Sequence, residues 1–438
     1  MEKEIAHTYI YTGSDIISDG ERPDYSAIIG KKDKPLRVLS LFSGCGGMDL
    51  GLEGGFIAHR RSFEGTPEFI AQEINEDWIL TRPTRMSTIF ANDILPEAAV
   101  AWKAYMSRFG RNGSEYISES VVNLVKRHNA GEKVFPDNVD IVTGGFPCQD
   151  FSVAGKRMGF NSGKNHDGTK RADDAPSEET RGKLYFWMKQ VIDITRPKIF
   201  IAENVKGLVN LGDVKDIIRN DFASADGNGY IVLTPKVLRA AEYGVPESRE
   251  RVIFIGIRRD ALRPEAIEAL EKEETPAEYD PYPTTTHAYK TQSDKLAHIV
   301  TTGDVLGKLL EPDKSADPAQ QVYSHAKHMP KGQGQTEINI AGLGPTIRSE
   351  HHGNIEFRRL SAEHGGLHAE ELSSGMAERR LTPRECALIQ TFPPDYPFVF
   401  RGLSSSGAYK VIGNAVPPVL AYKIATRIES LWKKYFKK

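Results

Sequence analysis

Cysteine is scarce: Cys45, Cys148 and Cys386 are the 3 in 438 residues, far apart and odd in number. That excludes a disulfide framework and a cysteine zinc site, and it points to a reduced, cytoplasmic setting. Long apolar runs are also missing, so no stretch reaches the roughly 18 residues that a membrane-crossing helix needs. The N-terminal MEKEIAHTYIYTGSDIISDG carries acidic residues and no apolar segment, which excludes a secretory leader. Histidines are scattered, and His351–His352 lacks partners at ligand spacing, so no metal is expected. A large excess of either charge is absent too, with 57 Lys and Arg against 59 Asp and Glu. A net charge of -2 gives by itself no reason to invoke nucleic acid. Neither internal repeats nor low-complexity tracts occur.

What is present is one cysteine in an unusual place. The stretch TGGFPCQDFS, 143–152, sets Cys148 after paired glycines and Pro147, where the apolar run VDIV breaks into a turn. A structural cysteine normally hides among aliphatic residues. Here the glycines let the backbone bend and admit a ligand, and the proline fixes a torsion beside the thiol. The position suits a group being presented. Directly after it, Lys156, Arg157, Lys164, Lys170 and Arg171 face only Asp150 and Asp167 across a glycine-rich stretch. Such a run is either a solvated surface loop or a lid that closes over a polyanion.

Residues 1–35 are polar and irregular and receive no function. From residue 36 to 259, strand-like runs (RVLSLF, STIFAND, VDIVTGG, PKIFIAENV, YIVLTPKVL, RVIFIGI) alternate with helical patterns such as AAVAWKAYMSRFG and KLYFWMKQVIDIT. Alternation of this kind predicts an α/β fold, a doubly wound and mostly parallel sheet covered on both faces. Residues 260–378 hold short segments rich in Pro, Gly, His, Thr and Ser, which read as a second, smaller, loop-rich domain. Order returns over 379–438. There Thr382-Pro-Arg-Glu is a capping box, and PVLAYKIATRIESLWKKYF has helical spacing that should pack back on the first domain.

Three motifs carry further chemistry. FSGCGG, 42–47, is a strand followed by glycines and a helix, either a seat for a nucleotide-like ligand or a tight structural turn. Its spacing is not that of the dinucleotide fingerprint. IFANDI ends a strand in Asp93, which can accept hydrogen bonds from both ribose hydroxyls or cap a helix. FIAENVKGL delivers Glu203 at the carboxyl end of a strand, where open sheets build their sites. A glutamate at the edge of an apolar crevice has a raised pKa and can donate a proton at neutral pH, unless it is ion-paired for structure. GVPESRERV sets Arg249 and Arg251 two apart on one face of a strand, with Arg251 able to pair with Glu203.

The ordered set FSGCGG, GGFPCQDFS, ENVKG, PESRERV, LTPRECALIQTFP and YKVIGNAVPP resembles the DNA (cytosine-5)-methyltransferase family, over about 36–258 and 379–425. The resemblance implies S-adenosyl-L-methionine as methyl donor, duplex DNA as partner, and a flipped-out cytosine as acceptor. It makes 260–378 the target-recognition domain. By the same resemblance the catalytic group is Cys148, Glu203, Arg249 and Arg251. The cofactor contacts are Phe42, Gly44, Gly46, Asp93, Ile94, Pro147, Leu184, Asn414 and Val416. The DNA contacts are Gln149, Ser152, Lys156, Arg157 and Arg181, with Arg348 and Arg358 in the reader beside His351 and His352. A monomer of prokaryotic restriction–modification type is expected, with a restriction endonuclease as genetic rather than physical partner.

The chemistry of cytosine agrees with this set. Carbon 5 is a poor nucleophile until a thiolate adds to carbon 6, the role Cys148 would fill, while Glu203 protonates ring nitrogen 3. Two departures stand out. Glu247 replaces the family's usual Gln, so a contact is lost or re-paired to Arg249. Extra residues also separate the glycine turn from Asp93, which leaves Glu73 and Glu76 as rivals for its role. A tRNA-methylating branch with the same core, and a non-catalytic DNA-binding relative, are the competing readings. The long reader favours DNA over the first, and the intact Cys148, Glu203 and Arg251 argue against the second.

Overall fold

The apolar runs between residues 36 and 258 become the strands of one twisted sheet in the computed structural model, which describes residues 14–25, 33–109, 111–147, 184–210, 213–289, 295–349 and 354–437. In chain order the strands are β1 (Leu36–Leu41), β2 (Met86–Asn92), β3 (Tyr116–Ile117), β4 (Ile141–Gly145), β5 (Ile199–Val205), β6 (Tyr230–Val232), β7 (Lys236–Arg239) and β8 (Glu250–Arg258). They lie in the order β3-β2-β1-β4-β5-β8-β7, with β6 also paired to β8. The first five are mutually parallel, while β8 runs antiparallel to β5, β6 and β7. YIVLTPKVL, expected as one strand, is two. Pro235 has no N–H for a ladder, and the chain breaks there into β6 and β7.

Alternate strand residues feed two cores, as a sheet covered on both faces requires. Val38, Ile141, Ile201, Ile253 and Ile255 pack with α1 (Gly47–Glu53), α2 (Pro96–Met106) and α8 (Pro418–Tyr435). Leu39, Val142, Phe200, Val252 and Phe254 pack with α3 (Val121–Asn129), α4 (Leu184–Thr195) and α5 (Val214–Ala223). The C-terminal helix does return to the first domain. A Cβ on Gly51 would stand 2.3 Å from the Pro418 carbonyl oxygen, so glycine there sets how closely α1 and α8 approach. The capping box also forms: Thr382 N–H donates to Glu385 Oε2 at 2.9 Å, and Glu385 N–H to Thr382 Oγ1 at 3.0 Å. It opens α6 (Pro383–Ile389), which α7 (Ser405–Asn414) follows.

The extra residues after the glycine turn form a small antiparallel sheet of Ile57–His59, Ile70–Glu73 and Trp78–Thr81. It is seated on α8, where Phe56, Phe63 and Phe69 meet the edge of Tyr422. At the N-terminus Ile17 is buried, and Tyr25 donates to Asp395 Oδ2 at 2.7 Å.

Residues 260–378 hold only short elements, such as Pro264–Leu270, Thr302–Leu306 and Ala369–Ser373. Their buried apolar residues, among them Val300, Val305, Ile338, Ile347 and Ile355, join the same core as α1 and α8. Beside that core lies a group of buried arginines. Arg359 and Arg379 both pair with Glu311, Arg379 also with Glu385 at 2.8 Å, and Arg384 with Asp317. Arg380 donates to the carbonyls of Ala326, Lys327, Gly334 and Ile355. No helix among the described residues is long and apolar enough to cross a membrane.

Candidate active site

The carboxyl ends of β1, β2, β4 and β5 open into one cavity of about 870 Å³. Strand ends of this kind leave backbone groups and turn residues facing a crevice, which is where doubly wound sheets bind ligands.

The glycine turn forms one wall. Phe42, Gly44 and Gly46 all have positive φ (52°, 56° and 86°), so the chain reverses sharply after β1. Ser43 accepts from the Asn92 amide at 3.0 Å and donates toward Ser40, whose hydroxyl bonds to the buried Asp49 at 2.5 Å. A Cβ on Gly44 would meet nothing within 4 Å, leaving an open backbone face on the cavity. Gly46 is different: a Cβ there would stand 2.6 Å from the Trp102 ring. Gly46 is therefore placed against the protein and does not line the cavity. Only Gly44 leaves room for a ligand.

Asp93 lines the cavity beside Ile94. Its Oδ2 accepts the Gly44 N–H at 3.0 Å and its Oδ1 the Leu95 N–H at 2.9 Å. The carboxylate thus pins the glycine turn and closes a local turn on the Leu95 amide just ahead of α2, and burial raises its pKa. Glu73 instead pairs with Arg60, and Glu76 with Lys308, both at the surface and away from the cavity. Glu119, Ser120 and Val121, after β3, also form the wall, and the sequence reading missed them. The two residues of β3 are too few to read as a strand, so the polar residues behind it had no element to place them.

At β4 the paired glycines form part of the cavity wall, and each also makes room for a side chain of the protein. A Cβ on Gly144 would stand 2.8 Å from Met188 Sδ, and one on Gly145 would stand 2.9 Å from Glu203 Oε2. Gly145 is paired in register with Glu203, so its missing side chain makes room for that carboxylate. Phe146, Pro147 and Leu184 continue the wall, and Asn204 Nδ2 holds the Phe146 carbonyl at 3.2 Å. Cys148, Gln149, Ser152, Lys156, Arg157 and Arg181, with His351 and His352, lie outside the described residues.

Glu203 and Arg251 meet on neighbouring antiparallel strands. Arg251 Nε is 2.7 Å from Glu203 Oε1, the pair is nearly buried, and both line the cavity. Such a pair holds the carboxylate in one orientation. Arg249 does not join them. Its guanidinium turns to the carbonyls of Ile347, Gly413 and Ala415, at 3.0, 3.1 and 2.8 Å, and reaches Glu247 at 3.4 Å. The cavity wall is closed by Asn414, Ala415 and Val416 and by Thr346–Ser349. Arg348 lines it but pairs with Glu356 at 3.1 Å, and Arg358 lies outside it, within 3.7 Å of Glu385. Among the described residues no group of three or more His, Cys, Asp and Glu could hold a metal ion.

Comparison with known proteins adds the following. A model of the C-5 cytosine-specific DNA methylase family matches residues 36–430. The Type II methyltransferase M.BsuRI of Bacillus subtilis is 30% identical over 428 residues, which cover 94% of this chain and 83% of that protein. M.NgoFVII of Neisseria gonorrhoeae is 29% identical, covering 94% and 91%. Among solved structures, the S. pombe Dnmt2 methyltransferase superposes with a TM-score of 0.52 at 16% identity, covering 90% of this chain and 99% of that one. That last likeness is one of fold.

Proposed function

The chain belongs to the C-5 cytosine-specific DNA methylase family and is a DNA (cytosine-5)-methyltransferase; from that premise we propose how its own residues carry out the reaction. The methyl donor is S-adenosyl-L-methionine, which supplies an electrophilic methyl group when bound. The open backbone at Gly44, the Asp93 carboxylate, Ile94, Leu184 and Asn414 suit its amino-acid, ribose and adenine parts, and all five line the cavity. The acceptor is a cytosine swung out of duplex DNA, because carbons 5 and 6 are out of reach inside the stack.

Cys148, next in sequence after Pro147, adds its sulfur to carbon 6 of the ring. Glu203 gives a proton to ring nitrogen 3, so the electron pair gathers at carbon 5 as an enamine that takes the methyl group. Loss of the carbon 5 proton and expulsion of the thiolate release 5-methylcytosine. Arg251 orients Glu203 and holds the ring oxygen. Arg249, in this reading, touches none of the reacting atoms. Ser152, Lys156, Arg157 and Arg181 close on the DNA backbone. Residues 260–378 choose the sequence, and the methyl mark protects host DNA from a companion endonuclease in a restriction–modification system. The protein acts as a monomer in the bacterial cytoplasm.

The observation that carries this reading is the Glu203–Arg251 pair at 2.7 Å, in the same cavity as Gly44 and Asp93. Bisulfite sequencing of DNA from expressing cells should show one methylated motif. Purified protein should trap duplex DNA with 5-fluorocytosine at that cytosine, since fluorine cannot leave. Cys148→Ser should abolish both. Glu203→Gln should slow single-turnover chemistry by about 10²–10⁴-fold with DNA affinity held. Transfer to a tRNA transcript but not to duplex DNA would overturn the reading.

A further inference from the structure

Glu247 and Arg249 are buried, at 0% and 1% exposure, yet neither lines the cavity. Burying two charges costs several kcal/mol, and apolar residues of similar volume are often as stable, so stability alone is a weak reason for such a pair. Their contact is also poor as an ion pair. The nearest atoms are 3.4 Å apart, and Glu247 Oε2 has no hydrogen-bond partner among the described residues. The firm bond of Glu247 is elsewhere: its Oε1 accepts the Ile347 N–H at 2.7 Å.

That bond belongs to a set that lays Gly344–Ser349 along residues 246–248. Gly344 and Glu247 form a parallel bridge, Ser248 N–H donates to the Gly344 carbonyl at 2.9 Å, and Gly344 N–H to the Pro246 carbonyl at 3.0 Å. Thr346 Oγ1 bonds to the Ser248 carbonyl at 3.3 Å. The strip is pressed onto the return segment as well, since a Cβ on Gly413 would stand 2.1 Å from the Arg348 carbonyl. Arg249 joins the two. One guanidinium holds the carbonyl of Ile347 in the strip and those of Gly413 and Ala415, on either side of Asn414. Both stretches are cavity wall.

We propose that Glu247 and Arg249 are positioning residues that couple DNA binding on the strip Gly344–Ser349 to cofactor binding beside Asn414. The proposal rests on the methyltransferase reading above, and it assigns Glu247 the task of an acceptor for the strip rather than of a counter-ion. A strip held in place by DNA fixes the Ile347 carbonyl, which fixes Arg249, which fixes the Gly413–Ala415 backbone. Coupling of this kind is reciprocal, so each ligand tightens the other by the same factor.

The test is binding of S-adenosylhomocysteine by calorimetry, with and without a duplex carrying the methylated motif. This readout needs no turnover. For the wild type the duplex should tighten binding by about fivefold or more. Arg249→Lys, which cannot span three carbonyls, should bring the ratio to within about twofold of one. Its affinity without DNA should stay near that of the wild type, while the buried carbonyl left without a donor lowers its thermal midpoint. Glu247→Gln keeps an acceptor for the Ile347 N–H and should keep the coupling. Glu247→Leu keeps volume without an acceptor and should lose it. A wild-type ratio of one, or Gln and Leu behaving alike, overturns the proposal. So does a loss of cofactor affinity in Arg249→Lys that is equal with and without DNA. If Arg249→Lys does not fold, the Glu247 pair decides. Absence of methyl transfer to DNA with coupling intact would instead defeat the functional reading.

Discussion

Around the sheet, buried backbone is satisfied by strand ladders, and the side chains between layers are Val, Ile, Leu and Phe. Between residues 311 and 385 there are few ladders, and Arg359, Arg379, Arg380 and Arg384 lie at 3% exposure or less. A loop that turns inward brings carbonyls with it, and a lost partner for each is costly. Arginine offers five donors in a fixed fork, so one side chain can serve several loops at once. Arg380 does this for four carbonyls drawn from 326–334 and 355. Two of the carboxylates that balance the cluster, Glu311 and Glu385, are shifted down accordingly. Burial alone would raise Glu311, but hydrogen bonds from Arg359 and Arg379 pull it down to about 2. Irregular segments can thus be built as firmly as a sheet, by directional polar contacts in place of area.

The largest effect expected on that contrast is from Arg380→Met. It leaves four carbonyls without their donor and should lower stability by about 3–5 kcal/mol in urea unfolding. Proteolysis should first cut near residues 326–335. A mild, uniform loss would break the comparison. Next, Ile201→Ala in the sheet core should cost about 3 kcal/mol from burial and cavity terms, unchanged by salt or by pH between about 5 and 8. Glu311→Gln should cost about 1–2 kcal/mol at neutral pH, discounted for partial exposure. Because its folded pKa lies below the ordinary carboxylate value of about 4.5, that stabilisation is fully present above 4.5 and lost as pH falls through about 2. The variant and the wild type should therefore converge in acid, whereas Ile201→Ala keeps its deficit. Smallest is Lys133→Ala, which removes an exposed pair with Asp137. About 0.5 kcal/mol or less is expected by thermal melting. A cost equal to that of Glu311→Gln would show that burial is not what separates the two kinds of ion pair.

The sheet was legible because parallel strands, buried on both faces, write themselves as apolar runs; the two-residue β3 was missed and the proline-split β6–β7 was read as one strand. Much of the cavity wall was legible for a local reason as well. Phe42, Gly44, Asp93, Pro147 and Glu203 each end a strand or start the turn after it, so the run of sequence before them announces their place. Gly46 was not, since a glycine that accommodates a tryptophan looks the same in sequence as one that admits a ligand. Arg249 was illegible for a plainer reason. Its partners are 98, 164 and 166 residues away, and no periodicity carries that information. Glu247 was anticipated to lose a contact or re-pair with Arg249. It has done the second, loosely, and gained the Ile347 amide. Arg348 and Arg358 read as base or phosphate contacts, yet each faces a carboxylate within the protein.

The helix Gly47–Glu53 is buried along its whole length, and what covers it includes Pro418–Tyr435, near the other end of the chain. On a ribosome that helix and the strand before it emerge long before their lid. Until Pro418–Tyr435 is made, then, the seat proposed for the methyl donor has an apolar flank with no cover, a surface that holdase chaperones and aggregation both compete for. Closing so long a loop is also slow, because its entropy is lost before the contact forms. A nascent chain stalled before residue 418 should therefore bind neither donor nor DNA productively. Activity would switch on once Pro418–Tyr435 has emerged, not gradually as the chain grows.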